Sequence, residues 1–237
     1  MPPRLLLTLL LTSTVVGPCL AQVETPALPE GSIRPGINDN YFDPDIDVEE
    51  WIQRFEVESR EVYKYRKEIL EQVALKPGDR VADIGTGTGL FVEPFSEAVG
   101  PKGWVFALDI APKFIERVGG LVELKRLGNV TPVLTGRDEL RLPPHSVTTA
   151  FVCDVYHHFE FPVATLTSIF DALEPGGTFV VVDFERIPGV SREWVLNHVR
   201  AGKDVVRKEI EASGFEFVEE VSVSGIRENY FLRFRKP

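Results

Sequence analysis

Two stretches of this sequence combine residue types at spacings suited to chemistry. The first is Val81-Ala-Asp83-Ile-Gly85-Thr-Gly87-Thr-Gly89-Leu90-Phe91, an apolar run ending in an aspartate and passing into a glycine-rich turn. Glycines let the backbone approach a ligand closely, and a helix opening just beyond them offers unpaired N–H groups. A dinucleotide turn would need G-x-G-x-x-G, and Leu90 occupies the place of its third glycine. Asp109 ends another apolar run 20 residues after Gly89, where a carboxylate can accept both hydroxyls of a ribose. The second stretch is Cys153-Asp154-Val-Tyr156-His157-His158-Phe159. A histidine near pKa 6.5 can take a proton from a hydroxyl, thiol or amine, so Asp154, His157 and His158 are candidate catalytic residues. Adjacent histidines seldom point the same way, and at most one is expected in a site. Asp154 with the two histidines is also a conceivable transition-metal set, but nothing in the sequence fixes their geometry.

These residues need elements to position them. Strand-like runs fall at Arg80–Ile84, Trp104–Leu108, Val130–Leu134, Thr148–Cys153, Thr178–Phe184, Phe215–Val223 and Tyr230–Phe234. Helical patterns fall at Leu90–Ala98, Pro112–Leu127, Val163–Leu173 and Val195–Ser213. Strands alternating with helices indicate right-handed crossovers and a parallel sheet covered on both faces. The last two strands have only a short turn between them, which predicts an antiparallel final strand. Before the sheet, Trp51, Ile52, Phe55, Val62 and Ile69 recur near helical spacing, giving two short helices or one broken one up to Val73. The fold class is thus α/β: a Rossmann-like, doubly wound, mostly parallel seven-stranded sheet with N-terminal helices.

The D-x-G-x-G-x-G turn resembles the first motif of the class I S-adenosylmethionine-dependent methyltransferases. The resemblance continues through Asp109, Gly136-Arg-Asp138, Phe151–Phe159 and Leu173-Glu-Pro-Gly-Gly177, in order, from about Val73 to Pro237. It implies S-adenosylmethionine as cofactor. By that resemblance Asp83 and Gly85 lie near the methionyl amino group and carboxylate, with Gly87 and Gly89 completing the turn. Asp109 binds the ribose, Ile110 covers one adenine face, Asp138 meets the adenine amino group, and the Cys153 backbone receives the methionyl ammonium. Some small-molecule members bind Mg²⁺ through acids at the fourth and fifth strand ends with a neighbouring Asn. Here Asp154 and Asp183 match, but Phe184 stands after Asp183, and no metal ligand is assigned. The 48–73 segment takes the place of helices that close over the cofactor, with Tyr63 and Arg66 as lid contacts and His198 and Arg200 near the carboxyl edge. Arg66 and Lys203 read more simply as solvated helix residues.

Composition narrows the partners. The 237 residues carry a formal net charge of −10, which repels phosphate backbones and anionic headgroups, so nucleic acid is not expected as substrate. There is no long recognition insert, which favours a small or medium-sized acceptor. The rival reading is a non-catalytic module that binds S-adenosylmethionine or a nucleotide. Met1–Arg4, the 12-residue apolar run Leu5–Val16 and Cys19-Leu-Ala21 read as a signal peptide over 1–21, cleaved before Gln22. The run is shorter than the ~20 residues of a spanning helix. The chain is then exported, periplasmic or secreted, with no stable membrane insertion; a retained leader would tether it. Cleavage leaves Cys153 as the sole cysteine and no intramolecular disulfide. Residues 22–47 read as an extended linker or arm, and 48–237 as the domain. Oligomeric state is not legible.

Overall fold

The structure, a computed structural model, describes residues 31–58 and 60–237; the expected leader lies outside them. Seven strands form one sheet: β1 (Arg80–Ile84), β2 (Trp104–Asp109), β3 (Val130–Leu134), β4 (Val147–Cys153), β5 (Leu173–Phe184), β6 (Glu216–Glu220) and β7 (Asn229–Arg235). Their order is β3-β2-β1-β4-β5-β7-β6. The first five pair in parallel, and β7 enters antiparallel between β5 and β6.

Side chains alternate across the pleat, so each strand feeds two cores. Ala82, Ala150, Val152, Phe179 and Val181 face one side, with Leu166, Ile169, Val206 and Ile210. Val81, Val105, Ala107, Phe151, Val180 and Val182 face the other, with Ile69, Phe95 and Val118. Burial on both faces accounts for the near-continuous apolar reading of the central strands. Each fully buried aliphatic side chain contributes about 1.5–3 kcal/mol.

The helices are α1 (Val48–Phe55), α2 (Glu61–Lys64), α3 (Arg66–Val73), α4 (Val92–Val99), α5 (Pro112–Lys125), α6 (Pro162–Ala172), α7 (Glu193–His198) and α8 (Lys203–Ala212). Two findings depart from the sequence reading. The helix expected over Val195–Ser213 is broken: Val199 takes an extended backbone and Gly202 starts α8 afresh, leaving His198 at the end of α7. The arm is not a free linker from residue 31 on. Ile33 N–H donates to the Glu160 carbonyl at 2.9 Å, Asn38 is buried, and a 3-10 turn spans Asp39–Phe42. Its turn-forming residues carry no period, so its packing was invisible in sequence. Among the described residues no helix is long and apolar enough to cross a membrane.

The chain runs from β1 outward to β3, then returns to β4 on the other side of β1. The carboxyl ends of β1 and β4 therefore flank the switch point of the sheet, where open α/β sheets leave a crevice.

Candidate functional site

A cavity of about 560 Å³ opens at this switch point. Asp83, Gly85, Gly87, Asp109, Ile110 and Cys153 all line it, as do Asp154, His157 and His158. Two expected residues do not. Gly89 lies beneath the turn, its α-carbon facing Leu121 and Val118, so it serves strand–helix packing. Asp138 is exposed and off the wall; its neighbours Gly136, Arg137 and Glu139 line the cavity instead.

The glycine turn is built by the strand ends. Gly85 and Thr86 both donate N–H to the Leu108 carbonyl at 2.8 Å, tying the turn to β2. The Thr86 hydroxyl donates to Asp83 at 2.7 Å, and Asp109 accepts from the N–H groups of Gly87 and Ala111, each at 2.8 Å. Burial pushes the Asp83 carboxyl up to about 7 and Asp109 up to about 6, against the pull of these donors. A carboxylate has about four lone-pair sites, so Asp109 retains capacity for two more donors. A side chain at Gly87 would project toward Phe55 across open space, with its nearest contact 3.9 Å away. A ribose and a backbone-hugging ligand fit this cradle.

The other end is polar and closely held. Asp154 sits in the left-handed backbone region at φ +54°, a strained place for a non-glycine residue. The Arg60 guanidinium pairs with one of its oxygens, and Asn229 Nδ2 donates to the other at 2.6 Å. Burial raises the Asp154 carboxyl and Arg60 opposes that rise. Both oxygens are engaged, so Asp154 ties Arg60 on the N-terminal side to Asn229 on β7. Cys153 beside it is held as the thiol by burial.

Both histidines line the cavity, against the expectation of at most one. A 3-10 turn over Tyr156–His158 brings them round together. His157 Nδ1 lies 2.7 Å from Asp183 Oδ1, and its backbone N–H donates to Asp183 Oδ2 at 3.0 Å. The carboxylate fixes the Nδ1–H tautomer and leaves Nε2 with a free lone pair. His158 Nδ1 faces Asn38 Oδ1 at 3.1 Å, while Asn38 Nδ2 donates to the His158 carbonyl at 3.0 Å. His198 brings Nε2 to 3.3 Å from His158 Nε2. Burial first, then the neighbouring histidines, press His158 down to about 2 and His198 down to about 4. These two rings stay neutral at neutral pH.

Aromatic residues close the cavity from the N-terminal side. Tyr41 and Trp51 lie 5.2 Å apart, Trp51 and Phe55 5.0 Å, and both Tyr41 and Trp51 reach Phe114. Burial, then Asp109, pushes the Tyr41 phenol up to about 12, so it stays protonated. The lid contact is Arg60, not Tyr63 or Arg66: Arg66 stacks on Tyr63 and donates to its carbonyl away from the cavity. His198 reaches the cavity as expected, but Arg200 turns away to Glu209, and Lys203 bridges Glu185 and Glu220. Asn38, Tyr41, Arg60 and Asn229 carried no signal in the sequence, because each meets the site across a long chain separation.

Residues 53–216 match the methyltransferase-domain family over more than half of the chain. The chain belongs to that family. The cofactor that family and fold imply is S-adenosylmethionine, and the Asp109–Gly87 cradle fits it. A ubiquinone/menaquinone biosynthesis C-methyltransferase of Pasteurella multocida is 32% identical over 114 residues, covering 47% of this chain and 42% of the relative. The chain spans just under half the length of the curated relatives it matches. In structure it is similar to a SAM-dependent methyltransferase from Aquifex aeolicus, with TM-score 0.70, 20% identity and coverage of 81% and 99%. It is also similar to a possible exported protein from Bordetella parapertussis, with TM-score 0.57, 15% identity and coverage of 75% and 70%. At those identities the likeness speaks for the fold alone.

Proposed function

We propose that this methyltransferase-family chain transfers a methyl group from S-adenosylmethionine to a small or medium-sized acceptor carrying an acidic X–H group. The observation that carries the reading is the His157–Asp183 pair, which presents a free imidazole nitrogen on the wall of the cavity that the glycine turn and Asp109 also line. Asp109 would hold the ribose, Ile110 would cover the adenine, and Asp83 with the Cys153 backbone would face the methionyl ammonium. On the adenine side, Glu139, which lines the cavity and pairs with Arg141, would stand in for Asp138. When bound, the cofactor supplies a sulfonium methyl, whose C–S bond breaks as the acceptor's lone pair forms the new bond and whose electron pair returns to sulfur. His157 Nε2 receives the acceptor's proton, and Asp183 stabilises the imidazolium. Tyr41, Trp51 and Phe55 exclude water, and the Arg60–Asp154 latch keeps that lid in place. The cavity of about 560 Å³ and the net charge of −10 favour a small acceptor over a nucleic acid. The same reading takes the chain as exported, on the strength of its leader pattern, Met1–Ala21.

Calorimetry should show S-adenosylmethionine binding and no NAD binding. Asp109→Ala removes two charge-assisted acceptor bonds of about 1.5–3 kcal/mol each, and should weaken cofactor affinity at least ~10²-fold. A screen of small-molecule extracts with methyl-labelled cofactor should find an acceptor, and His157→Ala should slow transfer about 10²-fold with cofactor affinity within a few-fold of wild type. Tight cofactor binding with no labelled product would favour the non-catalytic module.

A further inference from the structure

The three histidines form more than a base. One ring nitrogen from each of His157, His158 and His198 lies within 4.8 Å of the others, and all three residues line the cavity. The geometry points to a metal site: His157, His158 and His198 as a three-histidine set for a divalent transition ion of the Zn²⁺ class, with its remaining coordination position open to the cavity. For its role this rests on the methyl-transfer reading; the binding stands on the histidines alone.

Distance is the first argument. Zn–N bonds of ~2.0–2.1 Å in a tetrahedron place two ligand nitrogens about 3.3–3.4 Å apart. His158 Nε2 and His198 Nε2 are 3.3 Å apart, which is one edge of that tetrahedron. Closing the other two edges from 4.8 Å or less takes a ring rotation moving a nitrogen by about 1 Å or a little more.

Proton arrangement is the second. A metal-binding imidazole usually donates its other N–H to a carboxylate or carbonyl oxygen, which fixes the ring and its tautomer. His157 has Asp183 on Nδ1, and His158 has the Asn38 side-chain oxygen on Nδ1. The Asn38 orientation is set independently, because its amide nitrogen donates to the His158 carbonyl. Both rings therefore present a bare Nε2. His198 is held differently: Trp194 stacks on its ring at 5.0 Å, and Arg34 binds the Asn197 and His198 carbonyls at the end of α7. Tyr41 and Phe184 pack edge-on against His158 and His157.

Ligand chemistry is the third. Three neutral nitrogens suit Zn²⁺, Co²⁺, Ni²⁺ or Cu²⁺ and not Mg²⁺ or Ca²⁺, which prefer oxygen. Asp154, the carboxylate that sequence alone would group with the two histidines, is committed to Arg60 and Asn229 and is not part of the set. Three protein ligands with an open fourth position are the arrangement of a catalytic rather than a structural zinc site. An ion there would bind an acceptor hydroxyl or thiol and lower its pKa, so that its proton leaves to water as the acceptor enters, before the aromatic lid excludes solvent, and not to His157. The lone pair of His157 cannot serve both purposes, and the metal-loaded protein would use the first.

The test loads the full chain with Zn²⁺ or Co²⁺ after chelator treatment. One equivalent of Zn²⁺ should survive gel filtration, and Co²⁺ should give the intense visible bands of a four-coordinate site. His198→Ala, at a half-buried helix end, should abolish retention. Asp183→Asn should weaken affinity about 10–100-fold. S-adenosylmethionine binding, measured on the same samples, should persist in His198→Ala. No metal retained by wild-type protein that still binds the cofactor, or retention unchanged in His198→Ala, would overturn the site and leave His158 and His198 as a hydrogen-bonded pair. Metal retained without cofactor binding would instead sink the methyl-transfer reading and leave the metal site standing.

Discussion

A single methyl group added to Gly85 or to Gly87 separates a packing role from a ligand role within one turn. Both glycines have positive φ, +72° and +54°, so alanine costs about 1–2 kcal/mol of backbone strain at either position. At Gly85 the new Cβ would also fall 2.5 and 2.6 Å from the two methyls of Val155, about 1 Å inside ordinary carbon contact at ~3.5–4.0 Å. Overpacking of that size adds about 1–3 kcal/mol, for a total near 2–5 kcal/mol. At Gly87 the nearest atom is Phe55 Cε2 at 3.9 Å, so only the strain remains, but the methyl enters the space where the cofactor is placed. Guanidinium denaturation should therefore show Gly85→Ala clearly less stable than Gly87→Ala. A cycle with Val155→Ala should recover a coupling of about 1–3 kcal/mol at Gly85 and none at Gly87. Calorimetry should show Gly87→Ala folded yet binding S-adenosylmethionine about 5- to 150-fold more weakly, the same 1–3 kcal/mol read as affinity. Equal stability loss in the two variants, or zero coupling to Val155, would refute the packing argument. Wild-type affinity in Gly87→Ala would refute the placement of the cofactor.

Burial raises Asp83 to about 7 and Asp109 to about 6 from 3.8, so the folded, cofactor-free protein binds more protons than the unfolded chain between about pH 4 and 7. Their contribution to its stability falls as pH rises through that window; the cofactor's ammonium and hydroxyl donors favour the ionised carboxylates, so the Tm increment on adding cofactor should grow from about pH 5.5 to about pH 8, and a shrinking increment would count against this. Arg60→Ala frees the largely buried Asp154 of its partner, with side-chain exposures of 25% and 10%, and should cost about 1–3 kcal/mol while opening the α1–α2 connection to limited proteolysis. Unchanged stability and protease resistance in that variant would show that the pair is no latch. N-terminal sequencing of protein from its native host should begin at Gln22; an intact Met1 on a soluble cytosolic protein would show that the leader is misread.

The sequence determined the parts of this protein that depend on short-range order. The apolar runs, their alternation with helical patterns, and the glycine turn all have periods or spacings local to a few residues, and each maps onto β1–β5, β7 and the Asp83–Gly89 turn in the structure. Asp109 was legible for the same reason, since a strand end fixes where its last side chain can go. Tertiary structure alone decided the histidine end. His198 meets His158 across 40 residues and Asn38 meets His158 across 120, through an arm whose turn-forming residues show no period. The break at Val199–Gly202 that stops α7 at His198 left no interruption in the apolar spacing. Glu139 and not Asp138 lines the cavity although both are exposed, and which of two neighbouring loop acids does so has no sequence signature. Local spacing encodes which elements form and what their ends carry. Which ends share one cavity is set by the crossover connections and by packing between segments distant in the chain, and a single sequence records those contacts only in the folded state.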